Sequence, residues 1–142
     1  MLRDIAAKYY LEQNRNCAES LLMAIRDQYG LELDDSAIKV IGAFGGGMGC
    51  ERTCGALCGA IGALGRMCIE TVAHDSPVLK PRSARMFQLF EMKLGTTECK
   101  ELRAKYVMEG RKCGATVELC CDAFETLMAE IRQEAEAAGE KQ

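Results

Sequence analysis

With 142 residues, 49% of them hydrophobic, the chain has the size of one ordinary domain; 6% are aromatic, none is Trp, and the formal net charge is −3. Its core must be built from Ala, Leu, Ile, Met and Gly. The mild charge and the lack of any Lys/Arg run beside an aromatic stripe leave no basic footprint for nucleic acid.

The first ten residues, MLRDIAAKYY, are charged at once and carry no apolar segment or cleavage pattern, so no signal peptide is expected. Leu2, Ile5 and Tyr9 lie near helical spacing and predict a first helix over 2–13. Asn16 followed by Glu19 has the form of a capping box, so a second helix covers 17–29 and stops at Gly30. Asp34, Asp35 and Ser36 offer caps for a third helix over 36–43. The run Phe44-Gly45-Gly46-Gly47-Met48-Gly49 is not regular helix. Glycine runs can form nests of N–H groups that bind anions, which makes Gly46 and Gly47 candidate cofactor contacts. A plain connector fits the same run, and no Gly-Lys-Ser/Thr ending makes it a P-loop.

A long apolar helix follows over 53–71, with Thr53 as its cap. Its longest uncharged stretch, Thr53–Gly65, is too short to span a bilayer and suits a buried core helix. Residues 72–82 hold both prolines and read as a loop. A fifth helix over 83–94 is closed by Gly95, and Thr96 or Thr97 caps a short helix over 98–104. The last helix, over 115–137, has Val117, Phe124, Leu127, Met128 and Ile131 on its apolar face. No internal repeat or linker marks a second domain. The expectation is an all-α, compact single domain over 1–136, with about five to six helices around a central Gly/Ala-rich helix and a frayed tail over 137–142. The compartment read from these features is the cytoplasm, with no membrane contact.

Within the apolar helix, Gly55, Gly59, Gly62 and Gly65 each cost roughly 1 kcal/mol relative to Ala. Something must offset that sum. Close packing on a face shared with Ala56, Ala60 and Ala63 is one account; close approach of a cofactor or of a second copy of the chain is the other.

Nine cysteines are many for such a chain, and the odd count without an export signal argues against a secreted disulfide framework. In a reducing compartment such richness points to metal or redox chemistry. The nine are not equivalent. Cys17 follows the cap Asn16, Cys54 follows Thr53, Cys99 lies in the first turn after Thr96/Thr97, and Cys113 precedes the last helix. Four thus fall at predicted helix N-termini, where unpaired N–H groups and partial positive charge favour thiolate and lower a cysteine's pKa. Cys68, Cys120 and Cys121 lie inside helices and read as small buried hydrophobes. Cys50 and Cys58 flank Cys54 at four-residue spacing and are possible auxiliaries.

Asn16-Cys17-Ala18-Glu19-Ser20, the glycine run 44–49, Thr53-Cys54-Gly55-Ala56-Leu57-Cys58-Gly59-Ala60, Cys99-Lys-Glu-Leu102 and Cys113 before the final helix, in that order, resemble the C_GCAxxG_C_C family of redox-active proteins. The resemblance covers about residues 5–131 and extends to the non-haem part of split-Soret cytochrome c. It implies that Cys17, Cys54, Cys99 and Cys113 are the family's four named cysteines, with a redox role and an iron–sulfur cluster as their cargo. Arg15 stands where the family has Gly, Gly114 where Pro is frequent, and Cys58 where Thr or another small residue is frequent. No Cys-x-x-Cys-His is present, so the relatives' haem does not carry over.

Four functional readings are therefore in play. A four-thiolate iron–sulfur site carrying electrons to a redox partner is the first. A cofactor-free dithiol protein, with Cys54 attacking and Cys58 or Cys50 resolving, is the second. A structural zinc site on the same four sulfurs is the third. A helical interaction module with inert cysteines, dimerising through the Gly/Ala helix, is the fourth. His74 is the single histidine, beside Asp75 in the proline loop, which leaves conventional hydrolase or transferase chemistry poorly supported.

Overall fold

The structure, a computed structural model, describes residues 1–140. Among the described residues, seven α-helices run in chain order: α1 (Leu2–Glu12), α2 (Cys17–Tyr29), α3 (Asp35–Gly42), α4 (Gly55–Cys68), α5 (Leu79–Leu94), α6 (Cys99–Tyr106) and α7 (Gly114–Glu140). Among the described residues there is no strand, only isolated antiparallel bridges joining Thr53 to Glu98 and Met108 to Lys112. The all-α expectation holds. The count of five to six is too low: each of the seven segments with helical signals, including the short α3 and α6 of eight residues each, forms its own helix. Among the described residues, no helix is long and apolar enough to cross a membrane.

Local sequence sets most of the boundaries. Asn16 Oδ1 accepts from the Glu19 amide at 2.9 Å, and the Asn16 amide donates to Glu19 Oε1 at 3.1 Å, completing the capping box of α2. Asn16 Nδ2 also donates to the Gly42 carbonyl at 2.8 Å, which ties the start of α2 to the end of α3. Gly30 and Gly95 end α2 and α5 in the left-handed conformation, at φ 65° and 89°. Asp34 caps α3 by accepting from the Ala37 amide at 3.0 Å.

Several boundaries differ from the sequence expectation. Cys54, not Thr53, is the N-cap of α4; Thr53 is held in the bridge to Glu98 instead. The helix stops at Cys68 because Ile69 is extended. Helix α5 starts at Leu79 rather than Ser83, since Pro81 falls in the first turn, where no intrahelical N–H is needed. Glu98 flanks α6, while Thr96 Oγ1 accepts the Glu98 amide at 3.2 Å, too early to cap the helix. Residues 137–140 of the expected tail are helical in α7, and Lys141 and Gln142 lie outside the described residues.

The core is a set of fully buried side chains, Leu21, Ile25, Leu57, Leu64, Phe90 and Phe124 chief among them. Phe124 of α7 meets Tyr29 of α2 edge to face, with ring centroids 5.9 Å apart. Two-pronged ion pairs clamp α7 from outside. Arg3 holds Asp122 at 2.8 and 3.1 Å, and Arg85 holds Glu130 at 2.8 and 2.9 Å.

Helix α4 packs on α2, α3, α5 and α7, and its glycines show why. A Cβ on Gly59 would lie 2.4 Å from the Ala18 carbonyl oxygen, and one on Gly55 2.5 Å from Cys17 Sγ. Gly62 has Ile41 at 3.1 Å, whereas Gly65 meets nothing closer than 3.9 Å. Ala56, Ala60 and Ala63 are fully buried. Most of the small-residue face of α4 is therefore spent inside the fold, mainly against α2.

Gly59→Ala should destabilise the chain by about 1–3 kcal/mol, the cost of forcing a packed backbone apart. Gly65→Ala should be neutral or stabilising by up to about 1 kcal/mol. Urea unfolding of both variants checks this, and equal midpoints would contradict the packing account.

Candidate functional site

The four cysteines singled out by their place in the sequence do sit at helix starts. Cys17 and Cys99 are the first residues of α2 and α6, and Cys54 is the N-cap of α4. Cys113 directly precedes α7, and its carbonyl accepts the Val117 amide at 3.1 Å. All four line one hollow of about 540 Å³.

The chain brings these starts together by specific backbone contacts. The Cys54 amide donates to the Thr97 carbonyl at 2.8 Å and the Cys99 amide to the Arg52 carbonyl at 2.6 Å, so the entries to α4 and α6 run side by side. The Cys113 amide donates to Tyr10 Oη at 3.1 Å, joining the end of α1 to the start of α7. The missing Cβ of Gly55 lets the first turn of α4 lie against the Cys17 sulfur.

Glycines shape the segment between α3 and α4. Gly46, Gly47 and Gly49 all have positive φ, as does Met48, and the chain folds into a tight irregular turn over Gly47–Glu51. At Gly47 a Cβ would lie 2.5 Å from the Arg52 nitrogen and 2.8 Å from Cys99 Cβ. Gly46 lines the hollow and its amide favours charge on the Cys17 sulfur. Gly47 instead shapes the turn behind Cys99.

Electrostatics overturn one expectation. Helix starts were expected to lower the cysteine pKa values. Burial instead pushes the Cys54 thiol up to about 12, against the amides of Leu57 and Ala56, and the neighbouring Cys17 and Cys99 sulfurs add to the rise. Burial likewise raises Cys17, opposed by the amides of Gly46 and Ala18. It raises Cys99 as well, with Cys17 and Cys113 adding and Arg103 opposing. Helix ends do aim N–H groups at the Cys17 and Cys54 sulfurs, but desolvation and mutual repulsion win, so Cys17, Cys54 and Cys99 stay protonated at neutral pH. Among the described residues, no three His, Cys, Asp or Glu side chains are grouped closely enough to hold a single metal ion.

The remaining cysteines stand apart. Cys58 is half-buried one turn along α4 and does not line the hollow. Cys50 is exposed, and its thiol faces the Gly47 carbonyl at 3.4 Å, in a separate shallow depression. Cys68, at the end of α4, receives the Arg82 guanidinium at 3.8 Å. Cys120 and Cys121 are fully buried in α7, as their place in a helix interior suggests.

Two lining residues escaped the sequence reading. Tyr10, given no site role from the sequence, accepts the Cys113 amide in the hollow's wall. Thr116 lies in the first turn of α7. Its position three residues after Cys113 on a helix start was the one signal available. Arg15, Arg103 and Lys112 bring positive charge to the rim, with Glu109 as the acidic member.

Compared with known proteins, the chain matches one family model, described as "Putative redox-active protein (C_GCAxxG_C_C)", over residues 15–132. No curated protein and no solved structure matches it. The matched span includes Cys17, Cys54, Cys99 and Cys113. The chain therefore belongs to the C_GCAxxG_C_C family of redox-active proteins.

Proposed function

We propose that the chain is an electron carrier in which Cys17, Cys54, Cys99 and Cys113 ligate an iron–sulfur cluster. The observation that carries this reading is the meeting of four sulfurs, each from a different helix start, in one hollow. Iron–sulfur clusters are held by four thiolates. A zinc ion would need all its sulfurs about 2.3 Å away, a tighter grouping than the donors make. A cluster spreads its ligands over several irons and tolerates wider spacing.

The raised thiol pKa values fit the same reading. Three neutral, crowded thiols are poor nucleophiles, which weighs against a cofactor-free dithiol mechanism. A coordinating cation deprotonates thiols outright and cancels their mutual repulsion. When bound, the cluster supplies one-electron chemistry. The chain's own residues would supply the rest. Amides of Gly46, Ala18, Ala56 and Leu57 favour negative charge on Cys17 and Cys54. Leu102 and Tyr10 limit water, and the rim cations offset the net negative charge of ligated sulfur.

Protein purified without air and supplied with ferrous iron and sulfide should turn brown and retain both elements. Cys54→Ser should lose more than the ~10–100-fold in metal affinity typical of outer-shell changes. Iron and sulfide analysis with visible absorbance checks this; a wild-type chain that stays colourless and metal-free would overturn the cluster reading.

The rival dithiol reading is separated by alkylation of the empty protein. At pH 8, iodoacetamide should label exposed Cys50 at least about a hundredfold faster than Cys54, because labelling follows thiolate fraction and access. Burial raises the Cys54 pKa, so its labelling should climb roughly tenfold per pH unit and level off only near about pH 12. Peptide mapping of the label reads both rates. Rapid labelling of Cys54 at pH 8 would favour the dithiol mechanism.

A further inference from the structure

The hollow holds one polar group that the cluster reading leaves without a role. Thr116 is 3% exposed and lies in the hollow's wall, and its Oγ1 has no hydrogen-bond partner among the described residues. Buried hydroxyls are normally paired. Ser20 Oγ shares this condition but lies inside α2, outside the hollow's walls.

A threonine in a helix usually turns its hydroxyl back to the carbonyl four residues earlier. Thr126 does so in the same helix, donating to the Asp122 carbonyl at 3.0 Å. Thr116 has no such option. Four residues before it is Lys112, which precedes the helix with a φ of 49° and whose carbonyl accepts the Met108 amide at 3.1 Å. Three residues before is Cys113, whose carbonyl accepts the Val117 amide at 3.1 Å. The start of α7 thus leaves one O–H donor at the wall of the hollow that four sulfurs share.

We infer that Thr116 donates a hydrogen bond to sulfur of the group held by Cys17, Cys54, Cys99 and Cys113, and so sets its reduction potential. The inference rests on the cluster reading above. A donor aimed at anionic sulfur stabilises the reduced, more negative state and raises the potential. Thr116 would act through that sulfur, as a positioning residue.

The test compares wild type, Thr116→Val and Thr116→Ser, each loaded without air using ferrous iron and inorganic sulfide and titrated with dithionite in the presence of mediators. Valine keeps the shape and removes the donor, whereas serine keeps the donor. Thr116→Val should bind the same amount of iron with a midpoint shifted to more negative potential, and Thr116→Ser should stay near wild type. The empty Thr116→Val protein should melt at or above the wild-type temperature, because it loses only an unpaired hydroxyl. A loaded Thr116→Val with an unmoved midpoint would overturn the inference while leaving the cluster reading in place. So would an empty Thr116→Val that melts well below wild type with no shift in midpoint, the mark of a packing role. A wild type that takes up no iron overturns the cluster reading, and the inference falls with it.

Discussion

The arrangement depends on how closely the first two turns of α4 approach the start of α2. Two missing side chains permit it. At Gly59 the Ala18 carbonyl occupies the place of a Cβ, and at Gly55 the Cys17 sulfur does. Any other residue would push the two helices apart and separate Cys17 from Cys54. The helix-propensity cost of these glycines, roughly 1 kcal/mol each, is offset by burial of the α2–α4 face. The same contact that builds the core also brings two of the four sulfurs together, so packing and site are one feature rather than competing accounts of the glycines.

A second constraint is electrostatic. Amides at the starts of α2 and α4 favour negative charge on Cys17 and Cys54, yet burial keeps Cys17, Cys54 and Cys99 neutral. Desolvation of a charge costs more than a few partial dipoles return. The hollow is therefore poised rather than reactive. It disfavours a lone thiolate, whereas in the proposed cluster the thiolates would share a cation. That distinction separates a ligand set from a nucleophile, and it follows from burial that no sequence pattern records.

Much of this was legible beforehand. Asn16 with Glu19 marked the start of α2, Gly30 and Gly95 marked two ends, and Cys17, Cys54, Cys99 and Cys113 stood out because each adjoins a helix start. These signals are local, and local hydrogen bonds decide them. The exact cap of α4 was not legible. Thr53 is the better capping residue by type, but its backbone is claimed by Glu98, 45 positions away. Pro81 looked like a loop residue because its tolerance in a first turn depends on where the helix begins. Tyr10 and Thr116 were missed for a related reason: their roles depend on Cys113 being brought to the end of α1 and on carbonyls already taken by other amides. The direction of the thiol pKa values was misread because helix ends are visible in sequence and desolvation is not.

The central proposal is that these four cysteines, and nothing else in the chain, would ligate the iron of a bound cluster. X-ray absorption at the iron edge of the loaded protein tests it most directly. The account predicts a first shell made only of sulfur, with iron neighbours beyond it. A shell containing nitrogen or oxygen from the protein, or isolated iron without iron neighbours, would contradict it.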